Sequence, residues 1–203
     1  MNNGVVLVGG GGHCRSVIDV LEAAKVQIAG IIHGSDCAGE SVLGYSFLGR
    51  DDDLAKLNQI YSSALVTVGQ VKNPAIRIRL FAILQKNGFT LQTITSPFAY
   101  VSPYATLGVG TVVMHQSLIN AGTSVGYNCI INTKALIEHD CVVDNHCHIA
   151  AGVVLCGGVQ VGEGTFIGAN AIVHPQVTIG KNCIIGMGVR VFKDIPDGMC
   201  YRG

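Results

Sequence analysis

From Val101 to Val191 the chain places an aliphatic side chain at every sixth residue, with no insertion. The series runs Val101, Leu107, Val113, Ile119, Val125 and onward through Ile179, Ile185 and Val191. Four residues after each comes a small side chain: Ala105, Thr111, Ser117, Thr123, Cys129, Ala135, Cys141, Cys147 and so on to Val189. A period of six fits neither the 3.6 of a helix nor the alternation of a long strand. One long and one small inward side chain per six residues suits a thin triangular solenoid, with three sixes to a coil. The repeat then gives a parallel β-helix of about five coils, roughly 24 Å long at about 4.8 Å per coil. Gly108, Gly126, Gly162, Gly168, Gly180 and Gly186 follow the aliphatic residue directly, as do Asn120 and Asn132, and are expected at corners with unusual backbone angles.

Ahead of this repeat the pattern alternates between strand and helix. Val5–Val8 reads as a strand ending in Gly9–Gly12, and Ser16–Ala24 as a helix with Val17, Val20 and Leu21 on one face. A second strand is predicted at Gln27–Ile32 and a third at Ala64–Val68. Asp51, Asp52 and Asp53 begin a helical turn that presents Leu54, Leu57 and Ile60. Asn73, Pro74 and Gly88 bracket another helix, and Phe89–Ile94 makes a fourth strand. Such alternation implies a small parallel sheet, Rossmann-like in outline, over residues 1–95. Ser96-Pro97 breaks it, and the repeat domain occupies 96–203.

Hydrophobic residues make up 49% of the chain and charged ones 13%, which argues for a folded protein with part of its surface covered by partner chains. A net charge of zero without a basic run offers nucleic acid no footprint. No apolar stretch is long enough to span a membrane, and the N-terminus lacks the pattern of a signal peptide, so a soluble intracellular protein is expected. The eight cysteines contain no CxxC, which leaves no structural zinc signature. Cys129, Cys141, Cys147 and Cys183 fall in the small inward register and serve there as small hydrophobes, whereas no role follows for Cys14, Cys37, Cys156 and Cys200.

Among the histidines, His139 stands out. With Asp140 it falls at an outward corner, where stacking by eighteen residues sets Ala121 and Gly122 on one side and Gly157 and Gly158 on the other. The imidazole therefore sits in a notch, suited to general-base work beside a carboxylate. By position alone His148, His115, His146 and His174 read as surface residues. The glycine run after the first strand lacks the third glycine of a dinucleotide fingerprint, and His33 stands where an acid would hold a ribose. An NAD site is not expected. Amides at the helix start, with His13 as a further donor, suit a nucleotide phosphate or sugar, and a tight turn explains the glycines as well.

These pieces resemble the sugar acyltransferases of the PglD/NeuD type: Val8-Gly9-Gly10-Gly11-Gly12-His13, Asn132-Thr133, Leu136-Ile137-Glu138-His139-Asp140 and His148, in that order and separation. The resemblance spans nearly the whole chain. It implies a left-handed β-helix, a cytoplasmic homotrimer with active sites between subunits, and acetyl-CoA as co-substrate with no metal. It further implies His139 as general base and Asp140 as the acid that raises its basicity. His148, Gly157, Ala169 and Met187 are then expected to hold acetyl-CoA. Gly11, Gly12, His13, His33 and Gly69 would bind the nucleotide-linked sugar, with Asn132 near its reacting end.

The activity implied is N-acetylation of a nucleotide-linked 4-amino-4,6-dideoxy sugar in bacterial surface-glycan biosynthesis. O-acetylation of a sialic acid-like sugar is the nearest alternative. A zinc hydro-lyase of the β-helix type is an alternative of another class, and a catalytically silent nucleotide-sugar scaffold a third. Two departures from the family pattern matter. The segment Ile32-His33-Gly34-Ser35-Asp36 lacks the aspartate directly after the second strand that members binding uridine diphosphate sugars often carry, so the nucleotide stays open. Relatives continue past Tyr201-Arg202-Gly203 through a Pro-Ala segment, so part of the cofactor-binding tail is expected to be missing.

Overall fold

The computed structural model describes residues 2–34 and 41–203, with side chains from Gly4 onward; Ser35, Asp36 and Cys37 lie outside the described residues. The N-terminal half builds one sheet. Strand β1 (Asn2–Val8) leads through the glycine turn into helix α1 (Gly12–Ala23), and β2 (Ile28–Ile32) returns parallel to β1. A short hairpin follows, β3 (Ser41–Val42) and β4 (Tyr45–Gly49), then a 3₁₀ turn at Asp51–Asp53 and helix α2 (Leu54–Leu57). Strand β5 (Tyr61–Val66), helix α3 (Ala75–Lys86) and β6 (Thr90–Leu91) complete it. The sheet order is β3-β4-β2-β1-β5-β6, parallel throughout except for the hairpin. Val17, Ile18, Val20 and Leu21 of α1 cover one face, while Leu80, Phe81 and Leu84 of α3 cover the other, the two-sided burial expected of a parallel sheet.

Several sequence expectations shift here. The hairpin was not foreseen, and β4 adds a strand beside β2. Helix α2 stops at Leu57, so Ile60 is exposed instead of facing the core. The predicted strand 89–94 divides. Thr90–Leu91 pairs with β5, whereas Ile94–Thr95 stacks beneath Val112–Val113 as the first strand of the solenoid. Asn73 does cap α3, its Oδ1 accepting the Ala75 N–H at 2.8 Å.

From Ile94 onward the chain is a left-handed parallel β-helix whose three faces are sheets of seven, six and five two-residue strands. Up to Arg190–Val191 each strand lies over the one eighteen residues earlier, as in Ile119 over Val101 and Ile137 over Ile119, and the last, Cys200–Tyr201, lies over Ile184–Ile185. The aliphatic register is buried from Val113 to Val191, and so is the small register. That small position accepts Thr and Cys as readily as Ala because their polar atoms donate to a carbonyl further along the chain, fifteen residues on for all but Cys183, which reaches Pro196 O. Thr123 Oγ1 reaches Glu138 O at 2.8 Å, and Cys147 Sγ reaches Gly162 O at 3.2 Å.

The corner expectation needs correction. Positive φ falls three residues after the aliphatic position, not one, at Gly122 and Gly158 and also at Asn128, Asp140 and Asn182. The glycines directly after the aliphatic residue answer to close stacking instead. A Cβ on Gly162 or Gly168 would stand 2.7 Å from the backbone nitrogen of Lys181 or Met187 in the next coil.

The N-terminal domain covers the seven-stranded face of the rod. Helix α1 packs on Ile94, Val112 and Met114, and Phe81 of α3 stacks on Tyr127 with ring centroids 5.2 Å apart. Among the described residues no helix is long and apolar enough to cross a membrane.

Candidate active site

His139 and Asp140 lie on the corner between the six- and five-stranded faces, which is the vertex opposite the covered face. Asp140 has φ +58°, a conformation that aspartate tolerates better than most residues, and this turns its carboxylate back onto the ring. The pair is exposed, with His139 Nδ1 2.8 Å from Asp140 Oδ2. With Nδ1–H donated to Asp140, Nε2 keeps the lone pair. It faces Gly157, where a Cβ would stand only 2.6 Å away. The notch read from the repeat is present, and glycine at 157 is what keeps it open.

A second concavity of about 420 Å³ lies in the N-terminal domain, across the C-terminal ends of β1, β2, β4 and β5. This is the crevice where open parallel sheets bind ligands. Its lining includes Gly11, Gly12, His13, His33 and Gly69, five of the six positions expected to hold substrate. Gly9 turns at φ +115°, pinned by a 2.7 Å hydrogen bond from Thr67 Oγ1 to its carbonyl. Added Cβ atoms on Gly11 and Gly12 would meet nothing within 4 Å, so the start of α1 is bare toward the pocket. His33 packs edge-on against Phe47 and over Gly10. Asp51 and Arg79 also line the pocket, and the sequence reading missed both in that role.

Between this pocket and the rod lies a buried polar junction. Arg77 of α3 is fully buried. Its Nη1 donates to Val66 O and Val68 O at 3.2 and 2.6 Å, and its Nη2 to Asn128 Oδ1 and O at 2.8 and 3.1 Å. It thus ties the floor of that pocket to a rod corner, and burial lowers its pKa to about 10. The sixth expected substrate residue, Asn132, lies here rather than in the pocket, donating through Nδ2 to His148 Nε2 at 3.1 Å.

His148 itself, read from position as a surface residue, is buried against the N-terminal domain, with Nδ1–H donated to Gln70 O at 2.5 Å. The repeat register alone cannot reveal which face another domain covers. The same correction holds for His146, buried with Nδ1 accepting from Asn128 Nδ2 at 2.8 Å, and for His115, partly buried between Ser96 Oγ at 2.6 Å and Asp19 Oδ2 at 2.9 Å. His174 is exposed as expected.

Burial, assisted by the positive charge of Arg77, lowers the pKa of His13 to about 3 and those of His146 and His148 to about 4. The unfolded chain takes up these protons near 6.5, whereas the folded chain refuses them until pH 3–4. Stability is therefore fully present above pH 6.5 and is lost as pH falls below it, each histidine costing about 1.4 kcal/mol per pH unit until its folded pKa is reached. Thermal unfolding followed by circular dichroism should show Tm nearly flat from pH 8 to 6.5 and falling steeply toward pH 4. A flat Tm through that lower window would mean that the three rings gain protons in place.

The expected acetyl-CoA positions fall in separate places on one chain. Gly157 sits beside His139. Ala169 and Met187 stack on the corner between the seven- and six-stranded faces, where Gly188 N–H meets Ala169 O at 2.8 Å and Met187 is exposed. His148 lies beneath the N-terminal domain. His139, His146 and His148 do not converge, and among the described residues no three His, Cys, Asp or Glu side chains are placed to hold a metal ion.

With the geometry in place, comparison with known proteins becomes specific. Residues 4–84 match the family described as PglD N-terminal domain, and residues 158–193 match bacterial transferase hexapeptide (six repeats). A histidine-to-alanine variant of GDP-perosamine N-acetyltransferase from Caulobacter crescentus, solved with CoA and GDP-perosamine, is 36% identical over 100% of this chain and 95% of its own, with a TM-score of 0.93. The acetyltransferase domain of PglB from Neisseria gonorrhoeae, solved with acetyl coenzyme A, is 32% identical over 98% of this chain and 95% of its own, with a TM-score of 0.89. WeeI from Acinetobacter baumannii, 16% identical over 98% of this chain and 96% of its own at a TM-score of 0.61, shares the fold. No curated protein matches the sequence. Glycine turn, histidine–aspartate corner and full-length likeness agree, and the chain belongs to the PglD/NeuD-type family of hexapeptide-repeat sugar acyltransferases.

Proposed function

We propose that this protein transfers the acetyl group of acetyl-CoA to the amine of a nucleotide-linked 4-amino-4,6-dideoxy sugar, a step of bacterial surface-glycan biosynthesis carried out in the cytoplasm. The observation that carries the reading is the exposed His139–Asp140 pair at 2.8 Å, set over Gly157 in a chain that also holds a glycine-lined nucleotide-sized pocket. The likeness to enzymes solved with CoA and an amino-sugar nucleotide supports the choice of both substrates.

In this reading residues 1–95 hold the nucleotide sugar and residues 96–203 perform the transfer. The substrate amine attacks the thioester carbonyl carbon while His139 Nε2 accepts the departing N–H proton. Asp140, accepting from Nδ1–H, favours the imidazolium that forms. The carbon–sulfur bond then breaks and CoA leaves, taking the proton from His139 as its thiol. Backbone amides of the glycine-rich corners stabilise the oxyanion.

One chain carries His139 on the vertex opposite the face that bears the pocket domain. The reading therefore places each active site between copies, with His139 of one protomer facing the pocket of its neighbour in a homotrimer. Exposed Val142, Ile172, Met187 and Phe192 supply apolar surface for that contact.

The test is to incubate the protein with acetyl-CoA and nucleotide-linked sugars bearing amino or hydroxyl acceptors, and to read products by mass spectrometry. A gain of one acetyl group on a 4-amino sugar is the expected result. Acetylation of hydroxyl acceptors alone would move the assignment to O-acetylation, and absence of any product would overturn it.

A further inference from the structure

The pocket has a chemical direction. One end is made by Gly11, Gly12 and the first N–H groups of the twelve-residue α1, whose first turn has no acidic residue and no side-chain cap. His13 adds a buried Nε2 without a hydrogen-bond partner at the same end. These groups suit a diphosphate. At the other end stands Asp51, both carboxylate oxygens about 4 Å from where a Cβ on Gly34 would lie, with Arg79 Nη2 3.4 Å from Oδ2. A carboxylate cannot face a diphosphate, so Asp51 marks the nucleoside end. The sugar is then left to the Gly69 side, next to Gln70 and the rod.

Asp51 and Arg79 set an acceptor beside a donor. Resting on the nucleotide-sugar reading above, we propose that this pair reads the base and selects guanine. Guanine presents N2–H₂, N1–H and O6 in sequence along one edge. The Asp51 carboxylate accepts from the two nitrogens in a bidentate contact, and the Arg79 guanidinium donates to O6. Uracil and thymine present O4, N3–H and O2, so the second carboxylate oxygen would meet O2 and repel it. Adenine offers a single donor group next to an unprotonated ring nitrogen. A carboxylate engaged with the ribose diol instead would treat every ribonucleotide alike and leave Arg79 without a role.

Calorimetric titration of the full chain with GDP, IDP, UDP and dTDP tests this without requiring turnover. GDP should bind at least about 10-fold more tightly than UDP or dTDP, in line with the discrimination a bidentate base contact provides, and IDP, which lacks N2–H₂, should fall between. In Asp51→Asn the preference for GDP over UDP should shrink to within about 3-fold, GDP binding more weakly while UDP, freed of the repulsion at O2, binds at least as well as before, which controls for folding. Equal affinities in the unaltered protein, or an Asp51→Asn variant that weakens UDP as much as GDP, would overturn the base assignment and leave acetyl transfer standing. Failure to bind any of the four would overturn both this assignment and the nucleotide pocket.

Discussion

Replacing His139 with alanine is expected to lower kcat for acetyl transfer by about 10²–10⁴-fold, the usual contribution of a positioned general base. KM for either substrate and Tm should stay near their unaltered values. The structural reason is that His139 holds nothing up. Its ring is exposed, its one side-chain hydrogen bond among the described residues runs to the adjacent Asp140, and Nε2 faces the bare backbone of Gly157 in the neighbouring coil. The backbone contacts of that corner, such as Gly158 N–H to His139 O at 2.9 Å, survive any side-chain change. Steady-state kinetics on the acetylated product, with unfolding followed in parallel, makes the comparison. If turnover in His139→Ala stayed within a few-fold of normal, the base would have to be sought elsewhere. A matching loss of Tm would instead give the residue a structural role.

The solenoid was the most legible part of the chain because its sequence and its geometry share a period. Each coil needs one long and one small inward side chain, so Val113 through Val191 could be placed from spacing alone, and the cysteines among the small positions found a plain explanation. The same spacing put His139 in its notch, since eighteen-residue stacking is enough to set Gly157 beside it. Periodicity fails where a residue's environment comes from outside the rod. His146 and His148 occupy outward positions like any other, and only the docking of α3 and the Gln70 segment buries them.

The pocket shows a related gap. Asp51 lies in it because β4 runs beside β2 and delivers the following turn to the same edge, and that strand is only five residues long. The alternation of Tyr45 and Phe47 after the turn at Gly44, φ +86°, was the available signal. Arg77 also left one. It is the single charge on a face otherwise made of Leu80, Phe81 and Leu84, at helical spacing, and an arginine in that position must find buried acceptors.

Gly157→Ala should cost roughly 10²-fold in kcat although it adds a single methyl group. That methyl would stand 2.6 Å from Nε2 and 2.7 Å from Cε1 of His139, so the ring must swing aside. Because the imidazole is exposed, moving it costs little stability. The Gly157 backbone lies outside the positive-φ region, and its carbonyl still accepts from Gln176 N at 3.0 Å. Tm should therefore hold, while Nε2 is carried about an ångström or more from the reacting nitrogen, a displacement worth about two orders of magnitude in rate. A methyl group in this notch could instead obstruct acetyl-CoA, and the double variant separates the two causes. If the methyl acts through the ring, adding Gly157→Ala to His139→Ala changes nothing further, because the base is already gone. If it acts on the cofactor, the losses multiply and KM for acetyl-CoA rises in both backgrounds. A strictly multiplicative result would remove Gly157 from the positioning of His139 and make it a wall of the thioester site.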